Sequence, residues 1–76
     1  MLYFTLMKKE ALGEYIAERR KSLQINQREL ADLCGVSEHA LVNLERGNGN
    51  PTFDLIGRVC EAMGLEIGLT PKIMES

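Results

Sequence analysis

Residues 26–47 run Asn-Gln-Arg-Glu-Leu-Ala-Asp-Leu-Cys-Gly-Val-Ser-Glu-His-Ala-Leu-Val-Asn-Leu-Glu-Arg-Gly, and the fold is decided there. Asn26 offers a side-chain oxygen to the free amides that open a helix over Gln27–Cys34, and Glu29 stands in its first turn, where the helix dipole favours an acid. Gly35 ends that helix, as glycine does where the chain must turn left-handed. Ser37 is a second cap, opening a helix from Glu38 to about Arg46 that Gly47 terminates. Only Gly35-Val36-Ser37 separates the two, so the helices must cross steeply, and the second keeps one face free to project outward.

Working outward, Lys9 to Leu23 carries Leu12, Tyr15, Ile16 and Leu23 at helical spacing, which predicts a first helix. On the other side, Asn48-Gly49-Asn50-Pro51 is a loop. Thr52 caps a fourth helix, with Phe53, Ile56, Val59, Cys60 and Met63 on one face until Gly64 stops it. Leu30, Leu33, Val36, Leu41 and Leu44 sit at core spacing in the central pair. Leu65-Glu66-Ile67-Gly68-Leu69-Thr70 alternates apolar and polar residues like a half-buried strand, and Pro71 closes it. The expected fold class is mainly α, a four-helix, lambda-repressor-like helix-turn-helix domain with a short C-terminal β-strand. It forms one domain over 1–76, with a core at 9–64 and the strand at 65–70.

The chain has 76 residues, 45% of them hydrophobic and 26% charged. That is the composition of a globular chain with a core just large enough to hold together. The apolar opening, Leu2 to Met7, is too short for a signal-peptide core, no stretch approaches a membrane span, and two cysteines without a secretion signal are reduced thiols; the cytoplasm is the expected compartment. With 9 basic against 11 acidic residues and a pI near 5.3, non-specific attraction to phosphates is weak. The basic residues Lys8, Lys9, Arg19, Arg20, Lys21 and Arg28 nevertheless gather in the first half. One His and two distant Cys have no zinc-finger spacing, so no metal or other cofactor is expected. With no paired carboxylates and no glycine-rich phosphate loop, nothing carries catalysis.

Arg20, Gln27, Leu30-Ala31, Gly35-Val36-Ser37, Glu45-Arg46-Gly47 and Asn50-Pro51 occur in one order and at one spacing that resembles the Xre/Cro helix-turn-helix family. The resemblance covers roughly residues 16 to 64. It implies a protein that binds double-stranded DNA. In the family the arginine near the end of the first helix pairs with the Glu of Glu-Arg-Gly, so Arg20 and Glu45 are expected to form a structural ion pair. Cys34 and Cys60 fall where the family has small or aliphatic core residues, which implies buried, inert thiols. Gln24 replaces the glycine usual after the first helix, so a non-glycine residue has to take the left-handed conformation.

The DNA-contacting residues implied are Gln27, Arg28, Ser37, Glu38, His39, Val42, Asn43, Arg46 and Asn48. Gln27 stands where the family clamps a phosphate while helical amides point at the same oxygen. On the third helix, Glu38, His39, Val42, Asn43 and Arg46 avoid the core spacing, and the first turn is the part that enters a major groove. Asn43 suits adenine, His39 a guanine or a phosphate, Glu38 a cytosine amino group, and Val42 a thymine methyl. Val42 also replaces a small hydroxyl residue, which removes one phosphate contact of the family scheme; Glu38 serves the helix dipole equally well. Arg46, Asn48 and Asn50 face the DNA backbone or plain solvent.

A lone strand leaves its backbone groups unpaired, so Leu65, Ile67 and Leu69 are expected to pair with a second copy in a homodimer. A short terminal strand after four helices looks like the HipB antitoxins, which implies a kinase toxin of the HipA kind as a further partner. Leu2 to Met7 either join that sheet or pack against it, or Met7 is the true start and the residues before it are loose. The rival reading is an interaction module that neutralises a toxin or bridges transcription factors without contacting DNA; the acidic balance supports it and the outward polar face of the third helix opposes it.

Overall fold

The computed structural model describes residues 2–3 and 9–68. In chain order they form β1 (Leu2–Tyr3), α1 (Lys9–Ser22), α2 (Gln27–Cys34), α3 (Glu38–Arg46), α4 (Phe53–Ala62) and β2 (Ile67–Gly68). The helix starts follow the caps. Asn26 accepts the Glu29 amide while the Glu29 side chain takes the amide of Asn26, a reciprocal capping box; Ser37 and Thr52 accept the amides of Ala40 and Leu55.

All four described helices also stop in the same manner. The amide of Val36 donates to the carbonyl of Ala31, Asn48 to Asn43, and Leu65 to Cys60, each across a residue with left-handed backbone, Gly35, Gly47 and Gly64. At the end of α1 the same bond runs from Ile25 to Arg20, and the left-handed residue is Gln24 with φ 59°. The expected strain at Gln24 is therefore present.

The core draws on every helix: Leu12 and Ile16 from α1, Leu30, Ala31 and Cys34 from α2, Leu41 and Leu44 from α3, and Ile56, Val59 and Cys60 from α4, with Met63 just beyond. Each fully buried aliphatic side chain contributes about 1.5–3 kcal/mol over its exposed state. Both thiols are buried, and that burial holds them above the ordinary thiol range.

Four apolar residues expected in the core lie outside it: Tyr15 is 38% exposed, Leu23 41%, Leu33 68% and Phe53 63%. A helix rotates about 100° per residue, which carries Tyr15 and Leu33 more than a quarter-turn from the centres of the buried stripes of α1 and α2. Leu23 falls beyond the last residue of α1, in the turn, and Phe53 stands on the first turn of α4. Val36 is partly buried against the core, with Ile25, Leu55, Leu65 and Ile67.

Within the described residues the terminal strand covers Ile67–Gly68, starting two residues later than expected, and it has a partner in the same chain. β2 pairs in parallel with β1, Leu2 opposite Ile67 and Tyr3 opposite Gly68. One edge of β2 thus finds its backbone partner within the chain, in the apolar opening residues, one of the two places the sequence allowed them. Leu65 precedes the strand, and Leu69 and Thr70 lie outside the described residues, as do Phe4 to Lys8.

α1 passes close to the end of α3 at Gly13, which is buried in mid-helix. A methyl group there would collide with the Leu44 carbonyl oxygen and come within 2.6 Å of that of Glu45. Ordinary helix propensity favours Gly→Ala by about 0.5–1 kcal/mol. Here the collision is with backbone, which cannot rotate away, so overpacking of about 1–3 kcal/mol decides the sign. Gly13→Ala is expected to lower the thermal midpoint; an unchanged or higher midpoint would show that the two helices can separate freely. Gln24→Gly is expected to act oppositely: it relieves left-handed strain of about 1 kcal/mol and raises the midpoint by about 4–8 °C in a domain of this size, measured by thermal denaturation of the two chains side by side.

Candidate nucleic-acid interface

The expected ion pair exists and is built from three elements. Arg20 near the end of α1 donates through Nε to Glu45 Oε2 at 2.8 Å and through Nη2 to Glu45 Oε1 at 3.0 Å, while its Nη1 donates to the Ile25 carbonyl at 3.0 Å. The two side chains are only 10% and 5% exposed. The bidentate fork and the bond to Ile25 compensate the lost hydration of the guanidinium. The hydrogen bond with Glu45 raises the Arg20 pKa further above its already high ordinary value, against the opposing effect of burial.

Gln27 joins the same cluster. Its Nε2 donates to Glu45 Oε1 at 3.0 Å, so the first residue of α2 is tied to the last turn of α3. The sequence does not announce this bond; it offers Gln27 as a phosphate ligand or as a second N-terminal cap. The amide carries a second N–H, so this bond and a phosphate contact are compatible. Asn26 and Glu29 are occupied by the capping box, and Arg28 is exposed on α2.

α3 divides cleanly into two faces. Leu41 and Leu44 point into the core, and Glu45 into the ion pair. Glu38, His39 and Arg46 are exposed and Val42 and Asn43 partly so, which brings the five expected positions onto the outward side. Ser37 is exposed, with its hydroxyl taken by the Ala40 amide as a cap. Asn48 is exposed in the loop that follows. One contact within this face was not foreseen: Asn43 Nδ2 lies 3.2 Å from His39 Nε2, one helical turn away. With His39 accepting, Asn43 keeps its carbonyl oxygen and one N–H, the acceptor and donor pair that matches an adenine edge.

Not all the basic residues face outward. Arg20 is internal, and Arg19 donates through Nε and Nη2 to the Met63 carbonyl at 3.3 and 3.1 Å, binding α1 to the end of α4. An arginine that serves a helix terminus cannot be told by composition from one that meets a phosphate. No described helix is long and apolar enough to cross a membrane.

Removing one partner from a buried pair strands the other charge. Glu45→Ala is expected to cost about 3–5 kcal/mol, and Gln27→Ala about 1 kcal/mol, in chemical denaturation. A Glu45→Ala chain as stable as the parent would show that water reaches Arg20 without penalty.

The comparisons with known proteins agree with this geometry. A helix-turn-helix family model matches residues 16–69. An HTH-type transcriptional regulator of Methanothermobacter thermautotrophicus is 39% identical over 51 residues, which are 67% of this chain and 74% of the relative. One of Mycobacterium tuberculosis is 31% identical over 51 residues, only 36% of its length. Among solved structures, the clp gene regulator ClgR from Corynebacterium glutamicum superposes with a TM-score of 0.72 at 36% identity, covering 78% of this chain and 76% of that one. A recognisable pair of helices around Gly35-Val36-Ser37, the Arg20–Glu45 pair and these likenesses together place the chain in the Xre/Cro-type helix-turn-helix family of DNA-binding transcriptional regulators.

Proposed function

We propose that the chain is a sequence-specific repressor that binds an inverted-repeat operator as a homodimer. The observation that carries this reading is the outward side of α3, where His39, Val42, Asn43 and Arg46 contribute nothing to the core while Leu41, Leu44 and Glu45 hold the helix in place. Asn43 reads a base edge, with Glu38, His39 and Val42 beside it, and Arg46 and Asn48 meet the backbone. Gln27 holds a phosphate through its second N–H, helped by the outward amides of Gln27 and Arg28 in the first turn of α2 and by the Arg28 side chain.

The homodimer rests on the terminal ribbon. A parallel pair of two-residue strands is marginal alone, and the same ribbon of a second copy extends it through an open edge. Two copies of α3 then enter successive major grooves about 34–36 Å apart. A kinase-toxin partner has less behind it, because the terminal strand that suggested it pairs with the chain's own opening residues.

The test is a binding titration of the full chain against duplexes selected from a random pool and against single-base variants of the best one. The selected sites are expected to be inverted repeats. Asn43→Ala is expected to lose about 1–3 kcal/mol and to relax preference at one base pair. Gln27→Ala and Arg46→Ala weaken all sites alike, since phosphates carry no sequence information. Asn43→Ala binding every site as the parent does would remove this residue from recognition, and a parent that selects no duplex would favour the interaction-module reading.

A further inference from the structure

His39 and Asn43 stand one helical turn apart on the outward side of α3, and their side chains meet, with Asn43 Nδ2 at 3.2 Å from His39 Nε2. Among the described residues Asn43 is the only bonded partner of the ring. An amide nitrogen is a donor only, so the ring nitrogen has to accept, and a neutral ring that accepts at Nε2 carries its proton on Nδ1. The contact thereby selects one tautomer of the histidine and one of the two ways the amide can turn.

As a brace for the helix the pair counts for little, because exposed side-chain pairs at this spacing are weak and neither residue belongs to the core. Its effect falls on what Asn43 presents outward. An amide held by one N–H keeps Oδ1 and its other N–H, an acceptor and a donor in one plane. The adenine edge takes that pair in one order, the oxygen toward the N6 amino group and the N–H toward N7. A half-turn about the last torsion of Asn43 exchanges the two and sets an N–H against the N6 donor. Torsions of this kind are broad and roughly two-fold, so the asparagine alone does not choose between them.

We infer that His39 is a positioning residue that acts on base preference through Asn43, by holding the amide in the orientation adenine requires, and that protonation of the ring turns the amide over. The inference rests on the proposed reading of a base edge by Asn43 and deepens it. An imidazolium carries N–H groups at both nitrogens and accepts nothing. Two donors then face each other across the contact, and the amide answers by turning Oδ1 to the ring, which costs adenine its match. Histidine is the side chain whose charge ordinarily changes between about pH 5 and 8. Preference for adenine is therefore present at the upper end of that range and declines as the ring gains its proton.

Other charges leave the ring to this one partner. On α3, Glu45 is held by Arg20 and Gln27, and neither Glu38 nor Arg46 is bonded to the ring. Of the helices packed on α3, α1 brings Glu10 against Gly47 and Arg20 to Glu45, while α2 keeps Glu29 in its capping box and leaves Arg28 and Asp32 exposed. None of these is bonded to His39.

The experiment uses the full chain, His39→Gln and Asn43→Ala, each titrated with the best duplex selected by the parent and with a duplex changed at the base pair that Asn43 reads. The quantity followed is the ratio of the two affinities, from about pH 8 to about pH 5.5. A good bidentate pair discriminates by about 5- to 150-fold, so the parental ratio should fall by several-fold within that limit as the pH drops. Glutamine accepts from the Asn43 amide and takes no charge, so the His39→Gln ratio should not move with pH; Asn43→Ala should give a flat, lower ratio. His39 is the one histidine of the chain, so nitrogen NMR of the imidazole reports this ring alone. In the complex at about pH 8 it should show the proton on Nδ1. A parental ratio that does not change with pH, a His39→Gln ratio that falls as the parent's does, or a ring protonated on Nε2 in that complex overturns the role of His39 and leaves Asn43 as the base-reading residue. An Asn43→Ala chain that discriminates as the parent does overturns the reading of α3 and this inference with it. Thermal melts of the three chains, expected to coincide at each pH, separate these results from a folding defect.

Discussion

A buried guanidinium has to be answered from several directions at once, and that requirement organises this molecule. Arg20 cannot leave water without acceptors for its donors. It finds the two oxygens of Glu45 and the carbonyl of Ile25, and Gln27 donates to the same carboxylate. Four residues thereby join the end of α1, the turn after it, the start of α2 and the last turn of α3. Hydrophobic contact between α2 and α3 is non-directional and would tolerate several crossing angles. The fork between Arg20 and Glu45 does not, because both of its bonds need one relative orientation.

Around that cluster the chain is stiffened by its helix ends. Every described helix stops through a left-handed residue, so each connection is short and has little freedom to rearrange. Arg19 adds a crosslink to the carbonyl of Met63, holding α4 to α1. The close passage of α1 over α3 at Gly13 completes the arrangement from the other side. A core this small gains specificity from such directional contacts, since burial alone defines compactness more than it defines one geometry.

The helices and their caps were legible in the sequence because each is a local event. Asn26, Ser37 and Thr52 act within three residues, and Gly35, Gly47 and Gly64 announce their own conformations. The left-handed Gln24 and the Arg20–Glu45 pair became visible through resemblance, not through periodicity. Exposure was misjudged where a residue was apolar yet displaced around the helix, as with Tyr15 and Leu33, or stood at a helix end, as with Leu23 and Phe53. Pairing between β1 and β2 was out of reach in detail because alternation marks a strand without naming its partner. The His39–Asn43 contact and the bond of Gln27 to Glu45 depend on side-chain rotation, which spacing does not encode. Gly13 was passed over because a mid-helix glycine looks like a weakness until the carbonyls above it are seen.

The two-faced build of α3 has a consequence for how such a protein can change. Leu41, Leu44 and Glu45 bear the packing and the buried charge, while the five outward positions lie at the surface. With those five sites meeting DNA as proposed, substitutions there act on affinity with little penalty in folding, since surface changes away from caps and networks usually shift stability by no more than about 0.5 kcal/mol. On that proposed reading, stability and preference are separately heritable in this chain. A lineage could drift from one target to another through single replacements on one side of one helix, never passing through an unfolded ancestor.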